Sequence, residues 1–155
     1  GKLVFTQMSV EENLAASTDG PGEGQGRRHY SVEEVYALFP RLYERRHHLG
    51  SQLSGGERQM LGIARALRLG PRVLLLDEPS IGLAPRLVST VLETVRSLVD
   101  SGLTVLLVEQ NVRAAIEVVD RLILLERGRI ITEGPASEMR DDPRIAEAYL
   151  GAHVA

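Results

Sequence analysis

The chain has 155 residues, of which 43% are hydrophobic, 25% are charged and only 4% are aromatic, so its composition is that of a globular protein with an aliphatic core. The net charge of −3 argues against an overall basic surface for nucleic acid, and the absence of cysteine excludes disulfides and thiolate metal sites. With no apolar run long enough to cross a bilayer and no signal segment, we expect a water-soluble, cytoplasmic chain.

Two short helices are predicted near the N-terminus. Ser9 with Glu12, and Ser31 with Glu34, each match a capping box, in which serine and glutamate satisfy free backbone N–H groups at a helix start. The glycine-rich stretch 18–30 between them predicts a loop. It does not match G-x-G-x-x-G and follows no predicted strand, which argues against a dinucleotide site.

The middle of the chain has the pattern of a helix followed by a βαβ unit. Residues 54–69 repeat apolar side chains at helical spacing. The aliphatic runs 73–76 and 104–108 are typical of parallel strands buried on both faces. Residues 85–100 link them as a helix that begins at a proline, with an apolar stripe of Val88, Val91, Leu92, Val95 and Val99.

The last part of the chain predicts a helix, a hairpin and two terminal helices. Asn111 is a suitable N-cap for the first helix. Arg127-Gly128, flanked by two apolar runs, predicts the hairpin turn. The segments 135–138 and 142–150 predict the terminal helices.

The first candidate site is the sequence Ser54-Gly55-Gly56-Glu57, which opens the helix over residues 54–69. Two glycines leave backbone N–H groups unobstructed at the positive end of the helix dipole, where anions bind. A serine N-cap followed by a glycine turn with no ligand is an equally open interpretation of these residues alone.

The second candidate site is the pair Asp77 and Glu78, which follows the apolar run 73–76. Ligands of open α/β sheets bind at the carboxyl ends of strands, which is where these two carboxylates are expected. Asp77 is placed to hold a metal ion through water, and Glu78 to polarise an attacking water. The alternative is a polar strand end at a turn, closed by Pro79.

The order of these motifs resembles that of the ATP-binding subunits of ABC transporters. Leu53 to Glu57 is similar to their signature motif, Val73 to Asp77 to the Walker B strand, and Glu78 to the catalytic glutamate. The D-loop falls on Gly82, Leu83 and Ala84.

Three further runs of the chain resemble one subgroup of this family. The runs 5–14, 78–85 and 108–111 are similar to the ATPase subunits of branched-chain amino-acid importers of the type with glutamine at the switch position, here Gln110.

The resemblance implies an α/β fold, a partial P-loop NTPase domain of the ABC ATPase type. A helical subdomain over residues 1–70 would end in the signature helix. Residues 71–155 would form a mostly parallel sheet with flanking helices and a C-terminal β-hairpin, carrying Walker B, the D-loop and the switch region.

It also implies ATP hydrolysis with Mg²⁺ to energise amino-acid uptake. Asp77 would hold Mg²⁺ through water, while Glu78 and Gln110 would act in catalysis. Ser54, Gly55, Gly56 and Glu57 would bind ATP held by a second ATPase subunit in a head-to-tail dimer. The other partners would be transmembrane permease subunits, which hold the protein on the cytoplasmic face of the plasma membrane; nucleic acid is not expected as a partner.

Three departures from the family pattern qualify these implications. Ala84 stands where the D-loop usually has aspartate, and Gln110 replaces histidine. The phosphate-binding motif G-x-x-x-x-G-K-[ST] (Walker A) is absent, and Lys2 is the only lysine. We expect that motif N-terminal to residue 1, and therefore an isolated chain that is inactive and exposes apolar surface.

Alternative functions follow from these departures. The chain could be a non-catalytic module that binds a membrane subunit or a partner ATPase, or the ATPase of an amide, urea or other importer. An ABC ATPase of DNA repair or translation is disfavoured by the acidic charge balance. The basic cluster Arg41 to His48 is either a solvated helix face or a docking surface for the transporter.

Overall fold

The computed structural model describes residues 4–17 and 28–151. Residues 18–27 of the predicted loop lie outside the described residues, and residues 28–30 form neither helix nor strand. The elements in chain order are α1 (Val10–Ala15), α2 (Val32–Leu38), α3 (Pro40–Glu44), a 3-10 helix (Gly50–Gln52), α4 (Gly55–Arg68), β1 (Val73–Asp77), α5 (Pro85–Asp100), β2 (Thr104–Val108), α6 (Val112–Ala115), β3 (Arg121–Glu126), β4 (Arg129–Pro135), α7 (Ala136–Met139) and α8 (Pro143–Gly151).

Both predicted capping boxes are confirmed. The Ser9 hydroxyl accepts the backbone N–H of Glu12 at 3.1 Å, and a Glu12 carboxylate oxygen accepts the Ser9 N–H at 2.7 Å. Ser31 and Glu34 repeat the arrangement at 3.1 and 2.8 Å. The hydrogen bond from the Ser9 backbone N–H favours the charged form of the Glu12 carboxylate and therefore lowers the pKa of Glu12.

A fully buried asparagine holds the segment that precedes α1. Asn13 Oδ1 accepts the Phe5 N–H at 2.8 Å, and Asn13 Nδ2 donates to the carbonyls of Phe5, Met8 and Ser9 at 2.9, 3.2 and 2.9 Å. These four bonds satisfy the amide in a place where an unpaired polar group would be costly. Residues 5–9 are thereby tied to the first turn of α1.

The main hydrophobic core joins the helical part of the chain to the βαβ unit. Leu61, Ala64 and Leu67 of α4 are completely buried and belong to one cluster that reaches from Val4 to Leu103. A second, smaller cluster lies under the C-terminal elements and contains Ile116, Ala136, Met139 and Ile145.

The predicted βαβ unit is confirmed. Strands β1 and β2 pair in parallel, with Val73 opposite Thr104 and Asp77 opposite Val108. Helix α5 starts at Pro85, and four of its five predicted core residues are buried. The fifth buried position is Leu98, 1% exposed, and the prediction of Val99 was wrong. The chain reverses after α5, and the Leu103 N–H donates to the Leu98 carbonyl. Residue 98 therefore lies next to the segment that leads into β2.

The prediction that both faces of these strands are buried was wrong, because helices cover only one face. Leu74 and Leu76 are buried, whereas Val73 and Leu75 are 52% and 69% exposed. Leu106 and Val108 of β2 are likewise more than half exposed. No element of the described residues packs on this second face. The expected exposed apolar surface is therefore confirmed, and it lies on the sheet.

The C-terminal hairpin is confirmed as an antiparallel pair of β3 and β4. Its turn has φ of 48° at Arg127 and 76° at Gly128, the left-handed geometry of tight hairpin turns that glycine adopts without strain. The register shifts between Leu124 and Leu125, whose partners are Thr132 and Ile130, so that Ile131 of β4 has no register partner on β3. Helices α7 and α8 follow as predicted, and no helix within the described ranges is long and apolar enough to span a membrane.

We predict that Asn13→Asp lowers the free energy of unfolding by about 3–5 kcal/mol, because a buried carboxylate oxygen would then face three carbonyl oxygens. The matched control is Asn111→Asp. Asn111 Oδ1 caps α6 by accepting the Ala114 N–H at 3.1 Å, a role that aspartate performs equally well. Urea unfolding of both variants tests this, and equal stability of the two would contradict the role of Asn13.

We predict that Ala84→Asp stabilises the chain by about 1 kcal/mol. Ala84 is the N-cap residue of α5, has φ −63° and ψ 147°, and provides no side-chain cap for this 16-residue helix. An aspartate there would accept a first-turn N–H and complement the helix dipole. As a control, Ala37→Asp near the C-terminal end of α2 has the opposite dipole interaction and should destabilise. Thermal unfolding should separate the two variants; a lowered midpoint for Ala84→Asp would refute the prediction.

Candidate functional site

The predicted site residues Glu78 and Gln110 meet at the carboxyl ends of the two parallel strands. Because Asp77 and Val108 are register partners at the ends of β1 and β2, the loops that follow them leave the sheet side by side. An open cleft of about 890 Å³ lies between these loops, α6 and the first turns of α5. Its lining includes Glu78, Ser80, Leu83, Val88, Glu109, Gln110, Arg113 and Glu117.

Glu78 has a backbone conformation that is unusual for its residue type. Its φ is 45°, in the left-handed region that costs a non-glycine residue about 1–3 kcal/mol. Its N–H donates to the Val108 carbonyl at 2.8 Å, and its own carbonyl accepts the Ile81 N–H at 3.1 Å. These bonds direct the half-buried Glu78 side chain into the cleft.

The side chains of Gln110 and Glu78 are hydrogen-bonded. Gln110 Nε2 donates to Glu78 Oε1 at 2.6 Å. A neutral amide donor orients the carboxylate without supplying a positive charge. A carboxylate held in this way at a water-accessible position can accept a proton from a water molecule, as a general base requires.

Asp77 is exposed at the end of β1 and precedes Glu78 in the chain, but it is not among the residues that line the cleft. Within the part of the chain that the structure describes, no group of three His, Asp or Glu side chains could hold a metal ion directly. Mg²⁺ usually keeps several waters and takes only one or two protein carboxylates together with substrate phosphates. Asp77 fits that mode of binding.

Glu109 lines the cleft and lies in the run 108–111, but the sequence analysis assigned it no role of its own. Its two carboxylate oxygens accept the Ser80 backbone N–H at 2.9 Å and the Ser80 hydroxyl at 2.7 Å. The only signal in the sequence is an acidic residue directly before Gln110. Its partner lies 29 positions earlier in the chain, and local patterns do not reveal such pairs.

The glycine-opened helix α4 begins as predicted, with a third capping box. The Ser54 hydroxyl accepts the Glu57 N–H at 3.2 Å, and Glu57 accepts the Ser54 N–H at 2.9 Å. Beside Gly55 there is open space, whereas a Cβ at Gly56 would lie 2.8 Å from Cδ1 of Leu87. Gly56 therefore allows α4 to pack closely on the start of α5, while Gly55 leaves the helix end accessible.

The structure does not bring the Ser54–Glu57 motif into the cleft of Glu78 and Gln110. Leu83 is close to both regions, since it lines the cleft and its Cδ2 would lie 3.6 Å from a Cβ added at Gly56. Leu83, one of the predicted D-loop residues Gly82, Leu83 and Ala84, thus lies between the two predicted sites. Gly82 has φ of 71°, and Ala84 is the N-cap residue of α5.

Two arginines of the basic cluster contact Glu57. Arg45 Nε lies 3.5 Å and Arg41 Nη2 lies 3.9 Å from Glu57 Oε1. Burial by itself raises the pKa of Glu57, but the hydrogen bonds from Ser54 and the two arginine charges lower the pKa overall. Glu57 therefore remains a carboxylate that caps α4 and links it to α3.

Comparison with known proteins identifies relatives along nearly the whole chain. The family model for ABC transporters matches residues 2–81. The chain is 43% identical over 153 residues to the high-affinity branched-chain amino acid transport ATP-binding protein BraG of Pseudomonas aeruginosa, with 97% of the chain and 64% of BraG covered. It is 37% identical over 152 residues to the lipopolysaccharide export system ATP-binding protein LptB of Acidithiobacillus ferridurans, with 96% and 61% covered.

The chain thus spans less than two thirds of the curated relatives it matches. Among solved structures, it is similar to MJ1267, an ATP-binding cassette of an ABC transporter, in its ADP conformation. The TM-score is 0.72 at 28% identity, over 94% of this chain and 64% of that one. The fold is therefore that of ABC ATPase cassettes, as the resemblance predicted, and the chain belongs to the ABC transporter family.

Proposed function

We propose that this chain forms the ATP-hydrolysing part of an ABC transporter subunit that energises uptake of branched-chain amino acids. The observation that carries the proposal is the hydrogen bond from Gln110 to Glu78 at the ends of β1 and β2, directly beside Asp77. This arrangement supports Glu78 as a general base and Gln110 as the residue that orients it, and Asp77 would be the carboxylate for a hydrated metal ion. The similarity to BraG supports branched-chain amino acids as the cargo.

In this proposal Glu78 accepts a proton from the water that attacks the γ-phosphate of ATP. Gln110 holds the Glu78 carboxylate and offers a neutral donor toward the γ-phosphate. Asp77 would hold Mg²⁺ through water, and the ion would neutralise charge on the phosphates when bound. Most of the rate acceleration in phosphoryl transfer comes from such positioning and electrostatic stabilisation.

The signature residues are proposed to act on ATP held by a second ATPase subunit in a head-to-tail dimer. The Ser54 oxygen already accepts the Glu57 N–H, so its hydroxyl proton is available to a phosphate oxygen. The backbone N–H groups of Gly55 and Gly56 lie at the positive end of the 14-residue helix α4. Open space beside Gly55 allows a phosphate to approach. Glu57 would keep the helix end capped.

The remaining assignments belong to the same proposal. The helical subdomain, residues 1–70, and the α/β part, residues 71–155, would dock together on transmembrane permease subunits at the cytoplasmic face of the membrane. Phosphate binding in the same subunit would require a Walker A motif, which the 155 residues do not contain.

There are two alternatives to this proposal. The 37% identity to LptB favours an ATPase that drives lipopolysaccharide export. The second alternative is a non-catalytic module that binds a membrane subunit or a partner ATPase. We place uptake first because the runs 78–85 and 108–111, with Gln110 at the switch position, resemble those of the importers.

The proposal is tested by fusing the chain behind the segment of BraG that it does not cover and measuring ATP hydrolysis. Glu78→Gln should lower kcat by ~10²–10⁴-fold, the usual contribution of a general base, with KM for ATP little changed. The matched control is Glu93→Gln on the exposed side of α5, which should keep full activity. Equal kcat for both variants would show that Glu78 is not the base.

The same fusions decide the cargo in Pseudomonas aeruginosa cells that lack BraG. The unmodified fusion should restore leucine uptake, and the Glu78→Gln fusion should not. Hydrolysis without leucine uptake would contradict the importer assignment while leaving the ATPase assignment intact.

We predict that the 155-residue chain alone has no measurable affinity for ATP·Mg²⁺ in calorimetric titration. Phosphate binding needs a cradle of backbone N–H groups and a lysine, and the chain lacks that motif. The fusion behind the BraG segment is the positive control. Micromolar binding by the chain alone would show that residues within it replace the Walker A motif.

A further inference from the structure

Glu109 occupies a position that none of the assigned roles explains. It precedes the switch residue Gln110, lines the same cleft, and places both carboxylate oxygens on Ser80. Ser80 follows Glu78 by two residues, across the fully buried Pro79. Glu109 and Gln110 lie on one loop, and Ser80 and the proposed base Glu78 lie on the other. The Glu109–Ser80 contact therefore connects the two loops.

We propose that Glu109 is a positioning residue, which holds the turn 78–81 so that Gln110 can hydrogen-bond the Glu78 carboxylate. This inference rests on the proposed function, because the significance of the Glu78 orientation lies in hydrolysis. Glu109 itself touches Ser80 and has no proposed contact with the reacting atoms.

The backbone strain at Glu78 is the first argument. A residue with φ of 45° keeps that conformation only where its surroundings determine it. On one side the Glu78 N–H is bound to the Val108 carbonyl at 2.8 Å. On the other side the Ser80 N–H is bound to Glu109 at 2.9 Å. The strained residue is thus held on both sides by two consecutive residues, Val108 at the end of β2 and Glu109 directly after it.

The relative strength of the contacts is the second argument. Ser80 is 7% exposed and donates twice to one carboxylate, and charge-assisted bonds of this kind are about twice as strong as neutral ones. The bond from Gln110 to the Glu78 carboxylate is also charge-assisted, but it is a single contact of an exposed side chain, open to competition from water. The Glu109–Ser80 pair is therefore the contact able to keep the two loops in register.

The test uses the 155-residue chain itself and nuclear magnetic resonance of its amide groups. In Glu109→Gln only one oxygen remains, so one of the two Ser80 donors loses its acceptor. The Gln110 side-chain amide signals should move toward those of a free glutamine, and hydrogen exchange at the Ser80 N–H should rise by about tenfold or more.

The control is Glu117→Gln, the same change of charge in the same cleft at a residue whose ion pair is with Arg140, 2.9 Å away. It should leave the Gln110 and Ser80 signals unchanged. Should Glu109→Gln prevent folding, Ser80→Ala removes only the hydroxyl bond at 2.7 Å, and the Gln110 signals should still move in the same direction. Gln110 signals that are unchanged in the folded variants would overturn the inference.

Activity provides a separate readout. In the fusion with the BraG segment, Glu109→Gln should lower kcat by about tenfold or more with KM for ATP unchanged. If the Gln110 signals of Glu109→Gln are displaced but no fusion hydrolyses ATP, the proposed function is refuted and the positioning role stands. Unchanged Gln110 signals in active fusions would refute the positioning role alone.

Discussion

Parallel pairing of β1 with β2 is the constraint on which the candidate site depends. It places Asp77 opposite Val108, so that two loops far apart in the sequence start from adjacent points of one sheet edge. Three ties then cross between the loops: Glu78 to the Val108 carbonyl, Gln110 to Glu78, and Ser80 to Glu109. The strained backbone of Glu78 is stable because these bonds act together.

The helical part of the chain is coupled to this edge by packing. Gly56 lets the end of α4 approach Leu83 and Leu87, and one hydrophobic cluster runs from the helices into the βαβ unit. Helix α4, the proposed signature helix, is therefore packed against the start of α5, although its Ser54 end lies outside the cleft. That separation is what action on the nucleotide of another subunit would require.

Features with a local physical cause could be predicted from the sequence. Serine and glutamate three residues apart cap α1, α2 and α4 through neighbouring backbone groups. Gly128 allows the hairpin turn, and the aliphatic runs form the parallel strands. The burial of those strands could not be predicted, because an apolar run such as 73–76 has the same pattern whether one or both faces are covered. Burial of Leu98 instead of Val99 depends on how the chain returns after α5, beyond the reach of helical periodicity.

The sequence by itself determined most of the secondary structure and the family resemblance, and it named Glu78 and Gln110 as candidate site residues, since each rests on a short motif. Only the tertiary structure decided the hydrogen-bond partners of polar residues that belong to no local motif. Asn13 became a buried hydrogen-bonding centre and Glu109 the partner of Ser80, with no local pattern to mark either role. The physical reason is that a side chain's partner is set by which backbone segments the fold brings within about 3 Å of it, a distance on which sequence spacing carries no information.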